Sequence, residues 1–427
     1  MMQFFRNIYK ELTKDKKITS NIFIQGIGQF VSKFLFFIFL MYSARILGTN
    51  EFGIFSFSLS FCYLFYTFMS FGFDHLTVKW VAREKFDRFF NIAVARVGIT
   101  MFGYLLIFAC SFFFEKNIFL TINILGIGFC FFSLNNLVFS YFRGIEMMKL
   151  ESFVLIGQRI FLVVFTIFFL YIHQSATILS LSFSLSLLIT FFYILRFIIN
   201  INPGIFKIQG FLFRKEKLVS VIKEAAPIAF TSGLGIIYYR IDSVMIAGYG
   251  QMSDVGIYSG AYMMIEGLML PVRVIMAATF PRLAQYGAKP GFEFYALFKK
   301  LLIVLVTLSL IISLIMYFAG RFVFNTCLGN EYMESISVFS ILLLSVIALY
   351  PGSMVTQSLI TLDKQKLYMY IALTCTILNI GLNFFFIPEF GIKGAAWATV
   401  ITDIILTCSC MFYCFKFLKK KVDLECL

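Results

Sequence analysis

Charge is scarce in this chain. Only 14% of its 427 residues are Asp, Glu, Lys or Arg, and 60% are hydrophobic. Soluble globular proteins carry roughly a quarter charged residues, and a water-facing surface of this size cannot be covered with so few polar groups. A soluble fold is excluded. Histidine is nearly absent: His75 and His173 are the only two and lie far apart in sequence. The nine cysteines form no Cys-x-x-Cys pair, and most lie inside apolar runs, where a thiol acts as a small hydrophobe. Neither a disulfide framework nor a metal centre is expected. No Walker loop occurs, so the chain is not itself an ATPase. Residues 1–19, with Lys10, Lys14, Lys16 and Lys17, are too polar for a signal peptide and read as a cytoplasmic segment.

The abundant feature is the apolar run. A helix needs about 20 apolar residues to cross a bilayer, and twelve runs qualify, near 20–44, 53–73, 91–114, 117–142, 153–172, 176–197, 225–249, 255–280, 301–320, 335–358, 367–387 and 394–415. Their length favours helices over barrel strands. The net charge of +14 resides between these runs, in no basic stripe with interleaved aromatics, so no nucleic-acid partner is expected. Alternate connections are basic: Lys79, Arg83, Lys85 and Arg88 after the second run; Lys207, Arg214, Lys215, Lys217 and Lys223 after the sixth; Lys416, Lys419, Lys420 and Lys421 at the end. The other set carries only Arg45, Lys116, Arg321 and Lys393. The positive-inside rule then places both termini in the cytoplasm.

A repeat divides the runs. Glu51-Phe52-Gly53-Ile54-Phe55-Ser56 opens the second, and Asp254-Val255-Gly256-Ile257-Tyr258-Ser259 opens the eighth, about half the chain later. Six spans per half give both halves one orientation, so the repeat is parallel. The expected fold is an all-α membrane protein: about 12 transmembrane helices in two parallel six-helix lobes around a central cavity, N-in and C-in. Its expected parts are a cytoplasmic segment 1–19, lobes 20–200 and 225–415, a cytoplasmic linker 201–224 and a cytoplasmic tail 416–427.

Three segments carry a family resemblance. They are Tyr42-Ser43-Ala44-Arg45-Ile46-Leu47-Gly48 with Glu51-Phe52-Gly53; Tyr239-Arg240-Ile241-Asp242-Ser243; and Asn379-Ile380-Gly381-Leu382-Asn383 followed by Pro388-Glu389-Phe390-Gly391-Ile392-Lys393-Gly394-Ala395-Ala396-Trp397. The chain resembles the polysaccharide-exporting flippases of the multidrug/oligosaccharidyl-lipid/polysaccharide superfamily, in particular the O-antigen (Wzx-type) flippases. The resemblance implies a non-enzymatic exporter in a bacterial inner membrane. It would move undecaprenyl-pyrophosphate-linked oligosaccharide from the cytoplasmic to the periplasmic leaflet by alternating access, and coupling to protons or sodium is proposed for some members. Membrane lipids and the polymerase and chain-length proteins of the same pathway are the implied partners, and no cofactor is implied. The alternatives are a multidrug or peptidoglycan-precursor exporter of the same superfamily and, from another class, a membrane O-antigen polymerase or ligase. Short external turns argue against the last.

Ionisable groups inside the spans point to the site, because each costs at least about 2.5–3.5 kcal/mol at the bilayer centre. Gln25, Gln29 and Lys33 share one face of the first span, and a water-filled lumen or a packing contact explains them. Tyr258, Tyr262, Glu266 and Arg273 share a face of the eighth. Arg240 and Asp242, two residues apart, cannot pair with each other; Tyr238 is placed to bond Asp242. Arg96 and Arg159 are expected to snorkel to cytoplasmic headgroups. Asp403 reads equally as an ion site or a satisfied helix contact, Asn379/Asn383 as inter-helix glue, and Pro351-Gly352 as a break or bend. Cations exceed acids inside the spans, which suits a pyrophosphate. Lys33, Arg240, Arg273, Gln25, Gln29 and Tyr262 are therefore the substrate-binding candidates, and Asp242, Glu266 and Asp403 the ion-coupling candidates.

Overall fold

The computed structural model describes residues 16–84, 86–201, 215–287 and 291–425. Residues 1–15, most of the expected N-terminal segment, and 202–214, half of the expected linker, lie outside them. The described chain is helical: α1 (Lys16–Ser70), α2 (Phe73–Val81), α3 (Phe86–Ser111), α4 (Lys116–Gly144), α5 (Met148–Ile172), α6 (Ala176–Ile201), α7 (Lys215–Tyr249), α8 (Met252–Leu268), α9 (Leu270–Gly287), α10 (Phe292–Cys327), α11 (Ser335–Thr361), α12 (Gln365–Phe390) and α13 (Ile392–Glu425). A short 3-10 turn, Asn330–Tyr332, precedes α11.

Each expected span is met by a helix. Among the described residues ten helices are long and apolar enough to cross a membrane, and α7, bent by 45° near residue 227, makes an eleventh. The apolar part of α1 covers 47 residues, Ile24–Ser70. At 1.5 Å per residue that is about 70 Å, more than twice a hydrocarbon core of about 30 Å. It holds two spans, because Gly48 breaks it with φ 71° and ψ −179°. Twelve spans result. The eighth is made of α8 and α9, joined at Met269. The helices overrun the expected ends: α7 begins at Lys215 and α13 reaches Glu425, since lysine-rich flanks are good helix formers. α11 is one helix through Pro351. No break occurs there, and Gly352 instead lets α13 approach, because a methyl at its Cα would lie 2.5 Å from the Thr407 hydroxyl.

The chain forms two compact units. The first takes the described residues up to Phe39, Phe65–His173 and Thr177–Ser232; the second takes Leu40–Leu64, Gln174–Ala176 and Gly233 onward. In the first unit, Phe73, Leu76 and Trp80 of α2 pack on Ile92 and Ala95 of α3, Leu137 of α4, and Val221 and Ala225 of α7. In the second, α13 runs along both α11 and α12, and α11 is the most buried span.

The second unit brings the two repeat copies together. A Cβ on Gly53 would stand 1.8 Å from the Met252 carbonyl oxygen, and one on Gly256 would stand 1.9 Å from that of Thr49. Only glycine permits this crossing of α1 and α8. The two acids of the repeat do different work. Asp254 accepts the Gln251 N–H at 2.9 Å and caps its own helix, whereas Glu51 accepts the Ala176 N–H at 2.7 Å and caps α6. The Gly48 break is closed from the same unit: Thr49 N–H donates to Glu331, the Tyr332 hydroxyl donates to the Gly48 carbonyl at 3.0 Å, and Arg45 donates to the Thr326 carbonyl. Backbone groups freed by the break thus find partners.

Candidate functional site

Asp242 of α7 is buried in the second unit. Its carboxylate accepts three bonds, each of 2.7 Å, from the Tyr258 hydroxyl of α8, the Thr399 hydroxyl of α13 and the Asn383 amide of α12. Asn383 also donates to the Asn379 amide oxygen at 3.1 Å. Asn379 donates to the Thr402 hydroxyl at 3.4 Å. Thr402 lies 3.0 Å from the Tyr238 hydroxyl, which donates to Asp403 at 2.5 Å. One polar chain therefore links two buried carboxylates across four helices. Its donors are all neutral, and among the described residues neither carboxylate has a basic partner within ion-pair distance. The Asn383 amide oxygen is buried with no hydrogen-bond donor.

This corrects one expectation and decides another. Tyr238 bonds Asp403, not Asp242, and the partner of Asp242 is Tyr258. Asn379 and Asn383 do join helices, and they do so by gripping Asp242. Thr399 and Thr402 were not singled out in the sequence. Their signal was there: with Asp403 they line one face of the twelfth span, opposite an Asn pair four residues apart.

The other face of α7 carries Arg240, half-buried, 3.9 Å from Glu266 of α8 and 4.8 Å above the Tyr63 ring. Arg240 and Asp242 do point to different partners. Tyr262 stacks on Tyr258 with ring centres 6.1 Å apart. The α8–α9 stripe thus grades from buried Tyr258 through half-buried Tyr262 and Glu266 to exposed Arg273. Among the described residues no three His, Cys, Asp or Glu side chains converge as a metal-ligand cluster would.

The first unit holds Gln25, Gln29 and Lys33. Gln25 donates to Glu151 of α5 at 3.4 Å, and Glu151 is also 3.6 Å from Arg143. Gln29 is half-buried and Lys33 exposed. Arg159 does not reach outward; it donates to Ser32 at 3.4 Å and lies over the Phe36 ring. Arg96 overturns its expectation more fully. It is wholly buried, donating to the Ser133 hydroxyl at 2.7 Å, the Ser133 carbonyl at 3.0 Å and the Ser70 carbonyl at 2.5 Å, with Asp74 at 3.4 Å. The helix breaks at Phe71 and Gly72, with φ 42° and 69°, and this frees the Ser70 carbonyl inside the bundle. Arg96 satisfies that carbonyl, which is why it stays in.

A family model described as polysaccharide biosynthesis protein matches residues 18–287, and one described as MatE matches residues 227–385. An uncharacterized membrane protein of Methanocaldococcus jannaschii is 23% identical over 395 residues, 87% of this chain and 92% of that protein. The capsular polysaccharide biosynthesis protein CapF of Staphylococcus aureus is 22% identical over 189 residues, 44% of this chain and 48% of CapF. Among solved structures, an inward-facing multidrug resistance transporter of the MATE family aligns with a TM-score of 0.76 at 13% identity, covering 91% of this chain and 95% of that one. A MOP-superfamily transporter from Pyrococcus furiosus aligns at 0.64 and 13%, covering 94% and 96%. What the chain shares with these two is the fold.

Proposed function

The chain belongs to the polysaccharide biosynthesis protein family, and from that premise we propose that it is a flippase for lipid-linked oligosaccharide. Its substrate is the undecaprenyl-pyrophosphate-linked repeat unit of O-antigen or a related surface polysaccharide, carried from the cytoplasmic to the periplasmic leaflet of a bacterial inner membrane by alternating access. The family match over residues 18–287, on a chain with the fold of MOP-superfamily transporters, carries this reading. Cations on both units support it: Lys33 on the first, Arg240 and Arg273 on the second. Arginine and lysine replace the water that a pyrophosphate gives up, while Gln25, Gln29 and Tyr262 suit the sugar hydroxyls and rings.

Coupling is assigned to Asp242, with Asp403 and Glu266 as further candidates. A buried carboxylate with three neutral donors and no basic partner is a place for a proton or a small monovalent cation. Sodium would find hard oxygen donors in Asp242, Asn383 and Thr399, and the orphaned Asn383 amide oxygen fits that role. Bound there, the ion supplies the positive charge that the carboxylate lacks, and the gradient then drives the cycle.

A multidrug exporter is the second reading, favoured by the MatE match over residues 227–385. One experiment separates them. Lys33→Ala and Arg273→Ala, present at normal levels, are expected to slow glycan export at least tenfold, and wild-type export would remove these residues from the site. An exporter of cationic drugs would instead leave glycan export intact when the gene is deleted.

A further inference from the structure

Three cations surround one indole in the first unit. Trp80, near the end of α2, is buried. Arg88 of α3 lies 4.0 Å from its ring centre, Lys79 4.8 Å and Arg83 5.5 Å. One carboxylate serves two of them: Glu224 of α7 is 2.8 Å from Lys79 and 3.5 Å from Arg88. Among the described residues Arg83 has no carboxylate within ion-pair distance, and its neighbour Glu84 is exposed, held at φ 58°. The indole itself is fixed by the core of Phe73, Leu76 and Ile92, so it is a rigid floor. The side chains of Lys79 and Arg88 are 43% and 46% exposed.

We propose that Lys79, Arg83 and Arg88 around Trp80 form a binding site for the phosphate of an anionic membrane phospholipid. A guanidinium stacked on an aromatic face keeps its in-plane N–H donors free for oxygen. A tryptophan beside lysine and arginine at a span end sits at headgroup depth. The positive-inside bias puts this end at the cytoplasmic leaflet, where anionic lipids concentrate and basic pockets between spans take their headgroups. Positive-inside residues need only be basic; here they are also organised on one rigid ring, with more positive charge than Glu224 offsets. The cations flank the ring at a span end rather than converging in the polar network of the second unit, which favours a structural phospholipid over the transported pyrophosphate. This assignment stands independently of the transport reading.

Native mass spectrometry of the full-length protein, titrated with phosphatidylglycerol and separately with phosphatidylcholine, tests it. The wild type is expected to retain phosphatidylglycerol preferentially. Arg83→Gln is expected to weaken that binding about fivefold and R83Q/R88Q more than tenfold, while phosphatidylcholine binding is unchanged. Lys149→Gln, an exposed cation elsewhere, is expected to have no effect. Among the described residues Arg83 has no ion pair to lose, so its variant is expected to keep the fold even if the double variant does not. Equal phosphatidylglycerol affinity in wild type and R83Q would overturn the site. So would an equal loss in Lys149→Gln. Undecaprenyl pyrophosphate binding more than tenfold tighter than phosphatidylglycerol, through the same residues, would overturn the phospholipid assignment.

Discussion

The two units bury ionic groups in opposite ways. The first buries a cation, Arg96, and a carboxylate, Glu151, and sets an opposite charge beside each, Asp74 and Arg143. The second buries two carboxylates, Asp242 and Asp403, and gives them only neutral hydroxyls and amides. A buried charge is costly unless paired. Arg96 is paired and fills the backbone vacancy at a helix break, so its role is architectural. Asp242 and Asp403 have donors but, among the described residues, no counter-charge. On the proposal above a coupling ion would supply the missing positive charge, which is why the proposal looks to the second unit for coupling.

The contrast can be broken by substitution. Arg96→Ala should have the largest effect on stability, a loss of about 3–5 kcal/mol, because it strands Asp74 and the Ser70 carbonyl at the helix break. Thermal unfolding in detergent reads it, and a change below about 1 kcal/mol would remove the architectural role. Gly256→Ala comes next. Its methyl would meet the Thr49 carbonyl, and displacement of α1 from α8 should cost about 1–3 kcal/mol. Asp242→Asn should cost less, about 1 kcal/mol, since the amide keeps an acceptor and gives up a buried charge, yet it should reduce export more than tenfold. If Asp242→Asn destabilises as much as Arg96→Ala, the two units are alike and the distinction falls. Tyr258→Phe should be smallest, near the roughly 0.6 kcal/mol of an average inter-helix hydrogen bond in a membrane, with export partly retained because Thr399 and Asn383 remain.

Much of the fold was legible because lipid imposes simple rules. Apolar length located the spans. The acid-x-Gly-Ile-aromatic-Ser repeat marked two helices, and its glycines prove to be where those helices touch. The break at Gly48 agrees with the turn expected between the first two spans. The site was legible in part. Asp242, Asp403 and the Asn pair stood out as polar residues in apolar runs, but which donor meets which carboxylate depends on helix rotation, and span composition does not encode that. Tyr238 was therefore paired with the wrong acid. Arg96 departs from its expectation for a related reason. Its distance from the span end suggests an outward reach, whereas the cause of its burial is a helix break at Phe71 and Gly72, a non-helical geometry that apolar periodicity does not signal.

The most direct measurement of the central claim is the sidedness of lipid-linked repeat units in cells lacking this protein, read by a periplasmic enzyme or probe that cannot cross the membrane. Cytoplasmic-leaflet accumulation is expected on deletion, reversed by the wild-type chain and not by Asp242→Asn at equal abundance. Undiminished periplasmic access to the repeat unit in the deletion strain would contradict the flippase reading.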